Sequence, residues 1–252
     1  MPPHIAVIIP FYQRQSGILK KAVLSAIAQK FSDHSRPPQL DIIVVDDSSP
    51  VPASGELRDI DFPGHCKLTI ISQQNTGPAG ARNNALDHVH KDTEFVAFLD
   101  SDDQWTEEHL DNALQAMGKD MDFYFSDFYQ LNQKTSAFNR AKRIDVKAHK
   151  SLRDCDYLHL YEGDMFDQIL TGNVIGTSTV VFRFSRTPEL RFRENFVNAG
   201  EDYLFWLDFV TKDQKIVFSS KCEAVYGPGV NIFSGAVWGS EQSLDRIFFE
   251  TR

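Results

Sequence analysis

Short apolar runs rich in β-branched residues alternate with stretches whose apolar residues recur at helical spacing. The runs cover residues 5–9, 42–45, 68–71 and 95–99. Continuous apolar runs of this length are typical of parallel strands that are buried on both faces. The stretches with helical spacing cover residues 16–31, 78–90 and 106–117. Strands that alternate with helices predict an α/β fold with a doubly wound, mostly parallel sheet.

The alternation is less regular after about residue 120. We predict a strand within 121–131, a helix within 157–170, a strand at 178–184, a helix at 201–212 and a strand at 215–219. Glycines recur in the stretch 226–243, which predicts a mobile loop. No stretch resembles a linker, so we predict a single domain over residues 1–252.

Polar or aromatic side chains follow three of the predicted strands. Pro10 and Tyr12 follow the first strand, Asp46 and Asp47 the second, and Asp100, Ser101, Asp102 and Asp103 the fourth. Ligands of an open parallel sheet bind outside the carboxyl ends of its strands. We therefore expect these side chains to meet at one edge of the sheet and to form a ligand site there.

The aspartates after the fourth strand repel one another unless a positive charge lies among them. Carboxylate oxygens suit Mn²⁺ or Mg²⁺, which proteins usually hold with one or two carboxylates and the phosphates of a substrate. The spacing of Asp100 and Asp102 therefore predicts a divalent metal site. Asp103 has a simpler alternative role, as the cap of a helix that begins near Thr106.

The stretch NTGPAGARNNAL, residues 75–86, places two glycines and Arg82 at the start of a predicted helix. Glycines allow a close approach of the backbone to a ligand, and a helix N-terminus favours phosphate. Arg82 therefore either contacts a phosphate or pairs with Asp47. The stretch matches neither of the common glycine-rich nucleotide motifs, so it is a weak signal by itself.

Taken together, four stretches resemble glycosyltransferase family 2, whose fold is called GT-A. They are IAVIIPFYQR, IIVVDDSSP, NTGPAGARNNAL and FVAFLDSDDQW, in this order. One departure is Gln13, which stands where the family usually has Asn. The stretches PFYQR and GPGVNIFSG are similar to glucosyltransferases that assemble succinoglycan-type bacterial exopolysaccharide. The resemblance implies a donor half at residues 1–130, similar to a Rossmann nucleotide-binding unit, and a smaller acceptor half at 131–252.

The resemblance also implies a set of site residues. Those that would contact the UDP-sugar are Pro10, Tyr12, Asp46, Arg82, Asp100, Ser101 and Asp102, with Mn²⁺ or Mg²⁺ on Asp102 and Asp100. Asp202, in the pair Glu201-Asp202 that opens a predicted helix, would be the catalytic base of an inverting transfer to a lipid-linked saccharide. Acidic residues in a first helical turn can instead merely complement the helix dipole.

Two other functions are consistent with parts of this pattern. A haloacid-dehalogenase-like phosphatase also places Asp-x-Asp after an apolar strand, but it leaves the cluster at Asp46 unexplained. A nucleotide-sugar-binding subunit without turnover would keep the same binding residues, because fold and binding do not prove catalysis. Sugar transfer to an acceptor distinguishes both from a glycosyltransferase.

Charge and composition limit the partners. The net charge of −9 argues against nucleic-acid binding, which requires a basic surface. Residues 140–153 carry six Lys or Arg and one Asp, which fits either a solvated loop or a surface that faces an anionic membrane or lipid phosphate.

The three cysteines are widely separated and no apolar stretch is long enough to span a membrane. We therefore predict a cytoplasmic protein, with peripheral contact to the inner face of the plasma membrane as a further possibility.

Overall fold

The structure is a computed structural model that describes residues 2–130, 133–152, 155–196, 200–211 and 214–227. Its strands are β1 His4–Phe11, β2 Gln39–Asp46, β3 Cys66–Ser72, β4 Phe95–Phe98, β5 Gln104–Trp105, β6 Phe123–Tyr129, β7 Lys150–Leu152, β8 Cys155–Leu160, β9 Val181–Phe182 and β10 Ile216–Val225. The helices are α1 Leu19–Ile27, α2 Ala53–Leu57, α3 Gly77–Asp87, α4 His109–Met117, α5 Ala137–Ala141, α6 Met165–Thr171 and α7 Glu201–Val210.

One sheet contains all ten strands and crosses both predicted halves of the chain. Its order is β3-β2-β1-β4-β9-β6-β10-β8-β7, and β5 pairs with β10. The strands β1, β2, β3 and β4 are parallel, as are β6 and β10. The short strand β9 runs antiparallel between β4 and β6. The prediction of a large, mostly parallel sheet is therefore confirmed.

Helices cover both faces of the sheet. On one face, α1, α2 and α4 pack on alternate residues of the central strands, such as Val7 and Val44. On the other face, α3, α6 and α7 pack on the intervening residues, such as Ile8 and Val45. Because both sets of alternating side chains are buried, the strands read as continuous apolar runs in the sequence.

The predictions for the second half need three corrections. The stretch 157–170 is not one helix: its first residues belong to β8, which pairs with β10, and only α6 is helical. The expected strand at 178–184 is reduced to β9, with 3₁₀ turns on either side at Thr177–Thr179 and Phe184–Arg186. The expected strand at 215–219 extends to the ten residues of β10. In each case pairing with a distant strand decided the local conformation.

Within the described ranges, no helix combines the length and the apolar character that crossing a bilayer requires.

Candidate active site

The carboxyl ends of the first strands lie at one edge of the sheet. The parallel register places Phe11 opposite Asp46, and Asp46 opposite Ser72. On the other side of β1, Ile8 lies opposite Phe98, which brings Asp100 to the same edge. The predicted convergence of these strand ends is therefore confirmed, since the register of a parallel sheet leaves little freedom at its edge.

The two aspartates after β2 organise the loops at this edge. Asp46 accepts hydrogen bonds of 2.8 Å from the backbone N–H groups of Ser49 and Ala53. Asp47 accepts from the N–H groups of Thr76, at 2.8 Å, and Gly77, at 2.9 Å, at the start of α3. These two bonds do not fill the acceptor capacity of Asp46, because a carboxylate offers about four acceptor positions.

Gln13 connects the loop after β1 to the loops after β2 and β4. Its backbone N–H donates to Ser49 Oγ at 2.8 Å, and its side-chain amide donates to Ser101 Oγ at 3.2 Å. Ser101 is buried, whereas Pro10 and Tyr12 are half-buried. Gln13 therefore bridges these loops through its backbone N–H and its side-chain amide.

Arg82 joins the two halves of the site. Its guanidinium is buried and donates to Asp100 Oδ1 at 2.7 Å and to Glu201 Oε1 at 3.0 Å. The alternative pairing with Asp47 is thus wrong, since Asp47 is used at the start of α3. Burial disfavours the charged guanidinium, but the two carboxylates outweigh it and raise the pKa of Arg82. Arg82 therefore remains a cation and holds β4, α3 and α7 together.

Glu201 and Asp202 point in different directions, as successive helical residues must. Glu201 faces Arg82, and burial together with the neighbouring charge of Asp202 raises the pKa of Glu201 to about 7. Asp202 instead accepts a hydrogen bond of 3.1 Å from Thr177 Oγ1. Of the two acids, Asp202 is therefore the one whose carboxylate faces the space where a substrate can enter.

Asp202 and Asp100 line one cavity of about 590 Å³. Its wall also includes Thr177, Gly176 and the loop before them, the helix α5, and the aromatic residues Phe128 and Tyr226. A volume of this size accommodates a ligand of several hundred daltons. The cavity thus brings a carboxylate from the first half of the chain and one from the second half to the same ligand space.

Asp103 is not the helix cap that the sequence allowed. The helix α4 begins at His109, and Asp103 is buried, where it accepts hydrogen bonds from Ser178 Oγ at 2.5 Å and Gly227 N at 2.9 Å. Burial, together with the charges of Asp100 and Asp102, raises the pKa of Asp103. Asp103 is therefore a buried structural residue of the loop that carries Asp100 and Asp102, the predicted metal ligands.

The metal ligands that the spacing predicts are Asp100 and Asp102. Both residues are half-buried, and Asp100 Oδ1 is already engaged by Arg82. Across the described ranges, no group of three or more His, Cys, Asp or Glu is arranged to hold a metal ion. This set fits Mn²⁺ or Mg²⁺ only in the mode where substrate phosphates complete the coordination.

Tyr226 and Gly227 belong to the site, although the sequence placed them in a mobile loop. The ring of Tyr226 stacks on Phe128 with centroids 4.4 Å apart. A side chain at Gly227 would place its Cβ 1.7 Å from the Asp102 carbonyl oxygen, so only glycine fits there. The rest of the predicted loop lies outside the described residues. The glycine cluster was a signal for close backbone packing as well as for a loop.

Comparisons with known proteins show which family this chain resembles in sequence. A model of glycosyl transferase family 2 matches residues 6–186. The succinoglycan biosynthesis protein ExoW of Rhizobium meliloti (strain 1021) is 32% identical, over 97% of this chain and 75% of that protein. The UDP-Glc:alpha-D-GlcNAc-diphosphoundecaprenol beta-1,3-glucosyltransferase WfgD of Escherichia coli is 25% identical, over 84% of this chain and 71% of that protein.

Two solved structures show the GT-A fold. S. aureus TarS 1-349 in complex with UDP-GlcNAc has a TM-score of 0.62 at 20% identity, covering 93% of this chain and 62% of that one. The mannosyltransferase PcManGT from Pyrobaculum calidifontis in complex with GDP-Man and Mn2+ has a TM-score of 0.64 at 17% identity, covering 93% and 60%. This chain therefore spans about three fifths of the length of those structures. The chain belongs to glycosyl transferase family 2.

Proposed function

We propose that the protein is an inverting glycosyltransferase that moves one sugar, glucose, from a UDP-sugar to a hydroxyl of a lipid-linked saccharide. The observation that carries the proposal is that Asp100 and Asp202 line one cavity at the carboxyl edge of the sheet. The names of ExoW and WfgD support a role in bacterial exopolysaccharide or other cell-surface polysaccharide synthesis. The WfgD name also supports UDP-glucose as donor and a diphosphate-linked lipid as acceptor.

The donor half would bind the nucleotide. Pro10, Tyr12 and Asp46 would contact the uracil and ribose, and Ser101 or Asp100 would lie near the ribose. The bound Mn²⁺ or Mg²⁺ would supply positive charge for the diphosphate, with Asp102 and Asp100 as its protein ligands. Arg82 would keep Asp100 in place through their ion pair, since a rigid carboxylate preserves its coordination geometry.

Asp202 would act on the acceptor. The acceptor oxygen bonds to the anomeric carbon as the bond from that carbon to the UDP oxygen breaks, and UDP leaves with the electron pair. Asp202 takes the hydroxyl proton as this occurs, and the hydroxyl becomes acidic only as the new bond forms, so a carboxylate suffices. Attack from the face opposite to UDP inverts the configuration, which converts an α-linked donor into a β-linked product.

The test is transfer by a pair of isosteric variants. We expect Asp202→Asn to lower sugar transfer by ~10²–10⁴-fold, the usual contribution of a positioned general base. UDP binding with Mn²⁺, measured by calorimetry, should be retained because Asp202 lies on the acceptor side. Glu201→Gln is the matched control: it should lower transfer much less, because Glu201 faces Arg82 and not the cavity.

Full transfer by Asp202→Asn would refute this assignment of the base. If only Glu201→Gln were inactive, the other carboxylate would be the base. UDP binding without transfer to any acceptor would favour a nucleotide-sugar-binding subunit, and phosphate release from simple phosphoesters would favour a phosphatase.

We also propose that the protein acts at the cytoplasmic face of a membrane. Lys147 and Lys150 are exposed, and each basic residue near an anionic bilayer contributes about 1 kcal/mol at most. The double substitution Lys147→Gln and Lys150→Gln should therefore weaken co-sedimentation with phosphatidylglycerol vesicles at low salt, and the difference should disappear at high salt. Equal co-sedimentation at low salt would leave these residues as part of a solvated loop.

A further inference from the structure

The cavity that Asp100 and Asp202 line also has a cation in its lining. Arg140, in the last turn of α5, lines the cavity together with Ala137, Phe138 and Ala141. Arg140 is exposed. A guanidinium therefore shares the lining of this cavity with two carboxylates.

Arg140 differs from the arginines that hold the fold together. Arg82, Arg183 and Arg186 are each in an ion pair with a carboxylate. In the part of the chain that the structure describes, the side chain of Arg140 has neither an ion pair nor a hydrogen bond; only its backbone N–H is bonded, to Ser136 O. A basic residue in a last helical turn complements the helix dipole by about 0.3–1 kcal/mol, but that effect does not require the residue to line a cavity.

The surface next to Arg140 suits a sugar joined to an anion. Phe128 and Phe138 form an apolar wall, and Tyr226 stacks on Phe128 with an interplanar angle of 21°. Such a wall can pack against the apolar face of a sugar ring, as aromatic residues do in many ligand sites. The polar residues Asn173 and Gln130 complete the lining on this side.

A second arginine lies close to this wall. The side chain of Arg143 packs over Gly172, where an added Cβ would lie 1.2 Å from Arg143 Nη1. Gly172 immediately precedes Asn173, which lines the cavity. One arginine thus lines the cavity, and a second lies beside the residue that precedes Asn173 of the lining.

We propose that Arg140 binds the diphosphate group of the acceptor; this inference rests on the proposed function. Arg presents a planar guanidinium that can bind phosphate oxygens in a bidentate manner. The two diphosphates of the reaction then have separate sites, the donor's at Asp102 and the acceptor's at Arg140. Asp202, which lines the same cavity as Arg140, would take the proton of the acceptor sugar's hydroxyl.

The test compares two acceptors that carry the same sugar. In one the sugar is joined to a short alkyl chain through a diphosphate, and in the other through a neutral ether. Steady-state transfer is measured in detergent for the wild type, Arg140→Gln and Lys134→Gln. Lys134 is the matched control, since it is an exposed cation shortly before α5 that does not line the cavity.

We expect Arg140→Gln to raise the KM for the diphosphate acceptor by about 10-fold or more, the usual loss for a charge-assisted hydrogen bond. The KM for the neutral acceptor and for the UDP-sugar should change less than about 2-fold in the same variant, because neither needs this cation. Lys134→Gln should leave all three KM values unchanged. Arg140→Lys should recover part of the loss, because it keeps the charge without the bidentate geometry.

An equal rise of KM for both acceptors would overturn the proposal, because Arg140 would then shape the cavity and not read the diphosphate. An unchanged KM for the diphosphate acceptor would overturn it as well. Both results leave the proposed transfer reaction intact. If the wild type transferred sugar to neither acceptor from any UDP-sugar, the proposed function itself would fail, and this inference with it.

Discussion

The buried ion-pair group of Arg82, Asp100 and Glu201 gives a prediction that can be worked out from the structure. The perturbation is Arg82→Met, which replaces the guanidinium with an unbranched apolar side chain. The side chain of Glu201 is only 11% exposed, and that of Asp100 is 30% exposed. The variant therefore leaves one carboxylate buried without its cation, while the other can be partly solvated.

The expected loss of stability depends on pH. Breaking a buried ion pair by removing one partner typically costs about 3–5 kcal/mol. In the wild type, burial raises the pKa of Glu201 from 4.5 to about 7. The pKa of Glu201 is therefore higher in the folded state than in the unfolded state, where it is 4.5. Such a carboxyl contributes most to the stability of the fold below pH 4.5, and that contribution is lost as the pH rises toward 7.

Without Arg82, the pKa of Glu201 must rise further, since the guanidinium lowers it. The decline in stability then continues above pH 7 in the variant, whereas in the wild type it has largely ended. Each pKa unit corresponds to about 1.4 kcal/mol. Between pH 7 and pH 8.5, we therefore expect the variant to lose up to about 2 kcal/mol relative to the wild type.

The assay is urea unfolding of both proteins at pH 6, 7 and 8.5, followed by circular dichroism. The matched control is Arg193→Met, because Arg193 pairs with Asp208 of the same helix α7 but at the surface. This exposed pair should contribute less than about 1 kcal/mol, with no change between pH 7 and 8.5.

The double variant Arg82→Met with Glu201→Gln should lose the pH dependence. A destabilisation by Arg82→Met that is the same at all three pH values would refute the reasoning.

Two further predictions concern the loop after β4. We expect Asp102→Asn to weaken Mn²⁺-dependent UDP binding by about 10-fold or more in calorimetry, because the metal would lose its principal protein ligand; binding as tight as in the wild type would contradict that role. We expect Gly227→Ala to displace Asp102 and to reduce both UDP binding and transfer, since the added Cβ would lie 1.7 Å from the Asp102 carbonyl oxygen. Gly64→Ala is its control, because nothing lies within 4 Å of that Cβ, and equal activity of both variants would show that the loop can adjust.

The residues of the first half could be placed from the sequence because short-range rules applied to them. Each apolar run between helices is long enough for a strand, and a parallel sheet must bring the carboxyl ends of such strands to one edge. Asp46 and Asp100 therefore meet at that edge, as predicted. The divergence of Glu201 and Asp202 also followed from helical geometry.

The tertiary structure alone decided which partners these side chains have. By sequence reasoning, Arg82 could pair with Asp47 or contact a phosphate. In the folded chain Arg82 lies in the middle of α3 and is buried between Asp100 and Glu201. Glu201 is 119 residues further along the chain. Such pairs depend on how α7 packs against the sheet. No local pattern encodes that packing.

The second half shows the same limit in its backbone. The first residues of the stretch 157–170 look helical in isolation, yet they form β8 because β10 offers unpaired hydrogen-bonding groups beside them. Tyr226 and Gly227 belong by composition to a loop, but they pack onto Phe128 and the Asp102 backbone. The sequence determined the strands, the helices and the acidic strand ends, because these follow from local periodicity. Only the folded chain decided which distant groups pair or pack with one another, because long-range pairing and burial overrule the local preference of a segment for helix or strand.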